Sequence, residues 1–257
     1  MPKTNLFLRI NAITLGSVFV LILVGSIVRS LGAGMGCPDW PKCFGSYVPP
    51  SSASELPENY LDIFKEQRIK KNERLARTLS GIGYTSLSEK ILNDPAVQTE
   101  QAFNVTKAWI EYINRLVGVL IGLLVFLNMI FSFPFRKENK WMTIMGVSIF
   151  VLTGFQGWVG SLVVSTNLLH GFITFHMVLA LVIVAMLIWM NVRVRGLEIV
   201  KNRKLFYLSL GVFVLFLPQI FLGTDVRGII DDQIAANSMR LSWIDFLTTN
   251  SFYIHRS

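Results

Sequence analysis

The sequence predicts an all-α polytopic membrane protein, built as a tandem repeat of four-helix bundles in which the first bundle is complete and the second only begun. Hydrophobic residues make up 52% of the 257-residue chain and charged residues only 16%, whereas soluble domains carry about 25% charged residues. The mean hydropathy is +0.52. Five nearly uncharged runs are long enough to cross about 30 Å of hydrocarbon as helices, and they cover residues 10–28, 116–133, 141–164, 171–192 and 205–223.

The distribution of charge predicts the orientation of these spans. The N-terminal tail and the segments after the second and fourth spans contain ten basic and two acidic residues, which account for the whole net charge of +8. Because cytoplasmic loops of membrane proteins are rich in Lys and Arg, these segments should face the cytoplasm. The lipid bilayer of the cell (inner) membrane is then the expected partner, and nucleic acid is not needed to explain the basicity. The ten basic residues are Lys3, Arg9, Arg136, Lys137, Lys140, Arg193, Arg195, Lys201, Arg203 and Lys204.

This topology divides the chain into four parts. Residues 1–29 form the first span with a cytoplasmic N-terminus, and the absence of a small-residue cleavage site predicts a retained helix. Residues 30–107 form an extracytoplasmic loop and insertion, and 108–193 supply the three spans that complete the first bundle. Residues 194–257 form a cytoplasmic loop, the fifth span and the start of a sixth.

The insertion at 51–107 contains two predicted surface helices. Residues 57–79 show helical spacing of apolar side chains with interleaved charges, and 86–92 form a second, shorter helix. A solvated lid is the simplest interpretation. Docking on the membrane surface or on a partner is the alternative.

Two pairs of similar segments predict the repeat. Residues 25–30 (GSIVRS) resemble 223–228 (GTDVRG) at the end of the fifth span, and 112–115 (YINR) resemble 253–256 (YIHR). Four helices return a chain to its starting side, so the two halves would run parallel. Residues 248–257 supply only the first turns of a sixth span, and we therefore expect a polypeptide that is C-terminally truncated relative to the complete repeat.

The two cysteines, Cys37 and Cys43, lie in a Gly- and Pro-rich loop of the predicted outer segment. An oxidising compartment favours a disulfide between them. A structural disulfide is the simpler interpretation. A redox role is the alternative, although the spacing differs from the two-residue spacing of thioredoxin-like pairs.

His176 and His255 lie on predicted membrane helices near the outer side. A buried imidazole in an apolar bundle is costly unless it is hydrogen-bonded or binds a ligand. Haem iron is the first cofactor to test, because it needs only axial ligands and apolar walls. A histidine hydrogen-bonded to a neighbouring helix is the alternative for each, and His170 is interpreted as interfacial.

The third span carries Gly154, Gly157 and Gly160 around Gln156. Small residues on neighbouring turns let another helix, or a flat ligand, approach the backbone closely. Helix packing and ligand binding are both open interpretations.

With these motifs the chain resembles the haem A synthase family, membrane enzymes that convert haem O to haem A for terminal oxidases. The resemblance implies an oxidoreductase that oxidises a porphyrin methyl group by two successive hydroxylations, the resulting diol losing water to give a formyl group. It also implies a place beside haem O synthase in the pathway of terminal oxidase assembly, and it allows for a homo-oligomer. The matching segments are 36–43 (GCPDWPKC), 111–115 (EYINR), 156–157 (QG), His176 and 254–256 (IHR).

The same resemblance implies roles for single residues. His176 would ligate or face the iron of a first-half haem, taken to be the substrate haem O, and His255 would ligate a second-half haem b, taken to be an electron carrier. Glu111 aligns with the family's catalytic carboxylate, and a carboxylate at the membrane edge can relay protons. Arg115, one helical turn away, would hold it ionised or pair with a haem propionate. A simple intrahelical ion pair is the structural alternative.

Asn114 departs from the family pattern, which usually has histidine three residues after the glutamate. An amide is a poor iron ligand. Three interpretations are open: five-coordinate iron bound through His176, a distal hydrogen-bond donor at Asn114, or a branch with altered activity. The first two together are our hypothesis, because Glu111 and Arg115 are intact.

Two other classes of function are open. A non-catalytic haem-binding or electron-transfer subunit would keep both histidines but would have no need of Glu111. A thiol–disulfide membrane enzyme would depend on Cys37 and Cys43.

Overall fold

The structure is a computed structural model that describes residues 2–197, 202–235 and 252–254. By their contacts the residues form two units, Met1–Leu168 with His176–Leu197, and Leu169–Phe175 with Glu198–Ser257. Short 3-10 turns lie at Ala53–Glu55 and Phe133–Phe135. The α-helices of the described residues are α1 (Pro2–Ser30), α2 (Tyr60–Gly81), α3 (Thr85–Asn93), α4 (Pro95–Gln98), α5 (Val105–Ile130), α6 (Lys140–Ser165), α7 (His170–Arg195) and α8 (Arg203–Ala235).

Five of these helices, α1 and α5 to α8, are long and apolar enough to cross a membrane. They confirm the five predicted spans and the all-α polytopic fold. Each helix begins before its apolar run, and α5 begins at Val105 although the run begins at 116. Asn104 explains this early start, because its side-chain oxygen accepts the N–H of Lys107 at 3.0 Å and so caps the helix.

Four spans, α1, α5, α6 and α7, contribute to one hydrophobic core. The short connection through Phe133–Phe135 makes α5 and α6 antiparallel neighbours. The four helices are those predicted for the first bundle, whereas the repeat by a second bundle stays a prediction. The buried core residues are Phe7, Val18, Ile121, Val125, Met142, Ile149, Ile183, Val184, Leu187 and Met190.

Three asparagines link α1, α5 and α7 inside this core. Asn11 donates to the side-chain oxygen of Asn128 at 3.2 Å, and Asn191 donates to the side-chain oxygen of Asn11 at 2.9 Å. Asn11 and Asn128 are fully buried. Because lipid gives apolar helices no hydrophobic reason to associate, such polar contacts help determine which helix faces meet. The pairing was not predicted, since the three residues lie far apart in the sequence.

The insertion forms α2, α3 and α4, and the first two confirm the predicted surface helices. One face of α2 is buried, with Phe64, Arg68, Asn72 and Ala76 at spacings of four residues. The insertion is therefore a packed element with its own buried face, not merely a solvated lid.

Arg68 joins the insertion to the bundle. Its guanidinium donates to both carboxylate oxygens of Glu100, at 2.6 and 2.9 Å. The third nitrogen donates to the backbone oxygens of Val164 and Ser165, at 2.8 and 3.1 Å. These carbonyls lie in the last turn of α6, the end of a helix that favours a positive charge. One side chain thus closes α6 and fixes the insertion upon it.

The second unit contains the first turns of α7 together with α8. Thr174 and Thr224 share a hydrogen bond of 2.7 Å between their hydroxyl oxygens. The imidazole of His170 lies so close to Gly228 that a side chain there would overlap it. His170, interpreted from the sequence as interfacial, therefore has a packing role as well.

We expect Arg68→Ala to lower the free energy of unfolding by about 3–5 kcal/mol, because it leaves a buried carboxylate without its partner. The side chains of Arg68 and Glu100 are only 1% and 6% exposed. Thermal unfolding of the detergent-solubilised protein measures the change.

Lys70→Ala is the matched control on the same helix. It breaks an ion pair with Glu66 whose side chains are 64% and 68% exposed, so the expected change is below about 1 kcal/mol. Equal losses in the two variants would contradict the anchoring role of Arg68.

Candidate functional site

Glu111 and Arg115 hold the cysteine loop against the first turns of α5. The carboxylate of Glu111 accepts the backbone N–H of Cys37 at 2.9 Å and pairs with the guanidinium of Arg115. Arg115 also donates to the backbone oxygens of Asp39, Lys42 and Cys37, at 2.7, 2.9 and 3.1 Å. We call this set of contacts the loop clasp. The two side chains of the predicted ion pair therefore bind each other on one helix and also bind a loop that is remote in the sequence.

Cys37 and Cys43 form the predicted disulfide, and both residues are fully buried. Asp39 closes the loop from within, because its two oxygens accept the N–H groups of Phe44 and Gly45 at 2.7 and 2.9 Å. Reactive cysteines are normally accessible to their partners. Burial of this pair therefore favours the structural interpretation of the disulfide over the redox one.

Gly36 allows the loop to lie directly on α5. A Cβ atom at this position would overlap the carbonyl of Lys107 and come within 2.7 Å of the backbone nitrogen of Ala108. Such contacts are with backbone atoms, which cannot swing away. The loop clasp therefore depends on a residue without a side chain.

Buried side-chain atoms that lack a hydrogen-bond partner among the described residues occur on Asn72 and Gln98 of the insertion. On the membrane-spanning helices α5 to α7, three more polar side chains have such an atom. They are the Oδ1 of Asn114 on α5, the Oε1 of Gln156 on α6 and the Nδ1 of His176 on α7. All three lie toward the end of the bundle where α5 begins, α6 ends and α7 begins, here called the clasp end. Buried polar atoms almost always have partners, so each of the three is a position where a ligand or water could bind.

His176 is positioned by α6. The side-chain nitrogen of Gln156 donates to its backbone oxygen at 2.9 Å, and a Cβ at Gly160 would stand 3.3 Å from its Cε1. Gly154 and Gly157 have nothing within 4 Å of such an added atom. Of the three glycines singled out in the sequence, Gly160 is the one whose small size gives room to the imidazole.

These residues fit a haem better than a free metal ion. Within the described ranges, His, Cys, Asp and Glu side chains form no group of three or more that could hold a metal ion. A haem brings four of its own iron ligands and needs from the protein an axial nitrogen and apolar surroundings, and the unpartnered Nδ1 shows that the His176 ring has ligating capacity to spare. The iron-ligating role of His176 remains a prediction.

The structure brings some of the predicted site residues together and does not describe another. Glu111 and Arg115 meet in the loop clasp, and Asn114 and His176 lie on two helices of one bundle. His255 lies outside the described residues. No sequence pattern indicates that the cysteine loop is the hydrogen-bonding partner of the Glu–Arg pair, because the loop contributes backbone groups.

We expect Gly36→Ala to loosen the loop clasp, because the added methyl group must push the loop away from α5. The disulfide should then be reduced faster by a small phosphine, as measured by thiol alkylation and mass spectrometry. Gly118→Ala on α5 is the control, since nothing lies within 4 Å of its added Cβ. An unchanged rate of reduction for Gly36→Ala would contradict this tight approach.

Comparison with known proteins agrees with the resemblance seen in the sequence. The family model COX15-CtaA, described as cytochrome oxidase assembly protein, matches residues 9–77 and 87–254. The protein named heme A synthase from Bartonella tribocorum is 24% identical over 221 residues, which cover 81% of this chain and 54% of that protein. The one from Shewanella oneidensis is 26% identical over 215 residues, covering 82% of this chain and 54% of the relative.

Another protein of that name, from Pelagibacter ubique, is 26% identical over 276 residues, which cover 98% of this chain and 74% of the relative. The chain spans about half the length of the Bartonella and Shewanella proteins. No solved structure matches it. Because the family model covers the cysteine loop, Glu111 and His176 together with most of the remaining sequence, the chain belongs to the COX15-CtaA family of cytochrome oxidase assembly proteins.

Proposed function

We propose that the chain acts as a haem A synthase-like membrane oxidoreductase, which oxidises a methyl group of haem O to a formyl group and supplies haem A to terminal oxidases. The observation that carries the proposal is the set of unpartnered buried polar atoms on Asn114, Gln156 and His176. They lie in one four-helix bundle of a chain whose relatives are named heme A synthase. Activity in haem A biosynthesis also explains membership of an oxidase assembly family.

In this proposal the helices of the first bundle hold haem O as the substrate. His176 would bind the iron, and Gly160 leaves the room that its imidazole needs. Asn114 would accept a hydrogen bond at its Oδ1 from a water molecule or from a donor group of the bound substrate. The apolar core excludes other water. Bound haem O supplies the iron and the methyl group that is oxidised.

Glu111 would hold or accept a proton at its carboxylate oxygens. Its contacts with the backbone N–H of Cys37 and with the guanidinium of Arg115 hold this carboxylate in one position beside α5. A fixed acid–base group is what proton transfer at a buried site requires. Arg115 would act as a positioning residue, because four of its contacts go to Glu111 and to loop carbonyls.

The same contacts favour a second candidate, a non-catalytic haem-binding or electron-transfer subunit. A carboxylate that holds a loop in place has a sufficient structural role without taking part in any reaction. The two candidates differ in whether Glu111 is needed for the reaction itself or only to hold the cysteine loop and Arg115 in place.

The proposal extends to the parts of the site outside the described residues. A haem b ligated by His255 in the second half would carry electrons. The first unit would sit in the cell (inner) membrane with the N-terminus in the cytoplasm and the loop clasp on the extracytoplasmic side, as the charge distribution predicts.

We expect Glu111→Gln, made in the full-length protein, to lower haem A formation by about 100-fold, the usual contribution of a general acid or base. Glutamine keeps one oxygen that can accept the N–H of Cys37, but it cannot hold the transferred proton and no longer forms an ion pair with Arg115. Thermal unfolding of the variant shows whether the loss of this pair also affects the fold. Chromatography of extracted haems should show that haem O accumulates. Glu66→Gln, a change at an exposed glutamate of α2, serves as the control.

Normal haem A formation by Glu111→Gln, with an unchanged haem spectrum, would support the non-catalytic subunit instead. If Glu111→Gln and Glu66→Gln both lost activity and haem alike, the fold and not the carboxylate would be responsible. Both results would contradict a catalytic role of Glu111.

Replacement of both cysteines by serine separates the thiol–disulfide class. We expect haem A formation to continue, while the free energy of unfolding falls by about 2 kcal/mol because the loop loses its covalent closure. Extracted haems and thermal unfolding measure the two effects. Complete loss of haem A formation by a folded protein that still binds haem would favour the thiol–disulfide enzyme.

A further inference from the structure

Lys71 of α2 reaches from the insertion to the clasp end of the bundle. Its ammonium nitrogen donates to the backbone oxygen of Ser161 at 3.3 Å. Ser161 directly follows Gly160, the residue whose small size gives room to the imidazole of His176. The ammonium group of Lys71 therefore contacts α6 at the residue next in sequence to the glycine that lies against His176.

Lys71 has no carboxylate partner of its own among the described residues, whereas the neighbouring Arg68 and Arg115 are each paired with one. Lys71 is half-buried, and no ion pair of the described residues includes it. Burial and then the guanidinium groups of Arg68 and Arg115 lower the pKa of the Lys71 ammonium, while the carboxylate of Asp39 opposes them. An ammonium in such a place is stabilised when an anion joins it.

The two neighbouring arginines are already engaged. Arg115 directs both terminal nitrogens to Glu111 and to loop carbonyls, and Arg68 is used by Glu100 and the end of α6. Lys71 makes one long hydrogen bond, whereas its ammonium has three donors. It is therefore the cation of this cluster with the most capacity for a further acceptor.

We propose that Lys71 binds a propionate carboxylate of the haem that occupies the His176 site. The inference rests on the proposed function. The insertion then provides a side chain that binds the substrate. A haem carries both propionates at one edge of the ring, so an iron ligand inside the bundle and a cation at its end match the two parts of one molecule. A lysine suits this contact, because its compact charge sits on a flexible stem.

The assignment changes the role expected of Arg115. The sequence left Arg115 open as a partner of a propionate, but the loop clasp occupies its terminal nitrogens. Arg115 then keeps its contacts with Glu111 and the loop, Arg68 keeps its contacts with Glu100 and α6, and Lys71 makes the direct contact with the propionate.

The test is a spectroscopic titration of the purified full-length protein with haem and with haem dimethyl ester, whose propionates carry no charge. Only binding that His176→Ala removes is counted. We expect Lys71→Gln to raise the dissociation constant for haem about tenfold or more, the usual effect of losing one charge-assisted hydrogen bond. The dissociation constant for the dimethyl ester should stay the same.

Lys70→Gln is the matched control, because Lys70 is the preceding residue and pairs with Glu66 in solvent. It should leave both dissociation constants unchanged. If Lys71→Gln bound haem as tightly as the wild type, or weakened haem and its ester equally, the propionate contact would be refuted while the proposed function stood. If the wild type showed no haem binding that depends on His176, the proposed function itself would fail.

Discussion

The buried ion pair of Glu111 and Arg115 is the interaction on which the clasp end of the bundle depends. Charges placed at the entrance of an apolar helix lose water and must find other partners. They find them in each other and in four backbone groups of the cysteine loop. The dependence is mutual. The ion pair holds the loop in place, and backbone groups of the loop make the hydrogen bonds that water would otherwise make with the two charged side chains. The disulfide and Asp39 keep the loop in the shape that presents those groups.

The insertion also binds backbone groups with polar side-chain contacts, at the end of α6 and in the turn before α7. Arg68 binds the last carbonyls of α6, and the side chain of Asn167 donates to the backbone oxygen of Ala96. Asn167 and Leu168 both adopt positive φ, at 52° and 63°, a conformation that non-glycine residues rarely take. The contacts of the insertion support this turn. Since α6 and α7 carry Gly160 and His176, a surface element helps determine where the predicted ligand stands.

Polar contacts therefore lie toward both ends of the helix bundle, with apolar side chains between them. The loop clasp and the insertion lie at one end, and the hydrogen bonds of Asn11 with Asn128 and Asn191 lie nearer the other. In a bilayer the apolar middle supplies little preference for one rotation of a helix over another, whereas hydrogen bonds do. A bundle fixed in this way can keep a few polar atoms, among them the Nδ1 of His176, without protein partners. That is the condition for binding a large, mostly apolar ligand with a few polar contacts.

The sequence by itself determined the number and approximate place of the spans, the surface helices, the disulfide and the family, because these follow from local hydropathy, spacing and short motifs. It also singled out Glu111, Arg115 and His176 as residues with unusual chemistry for a membrane helix. Only the tertiary structure decided their partners. The clasp, the Arg68 anchor and the contact of Lys71 with Ser161 all join side chains to backbone atoms remote in the chain. Backbone acceptors are the same in every residue, so no sequence pattern identifies them, and only packing brings a particular carbonyl to a particular cation.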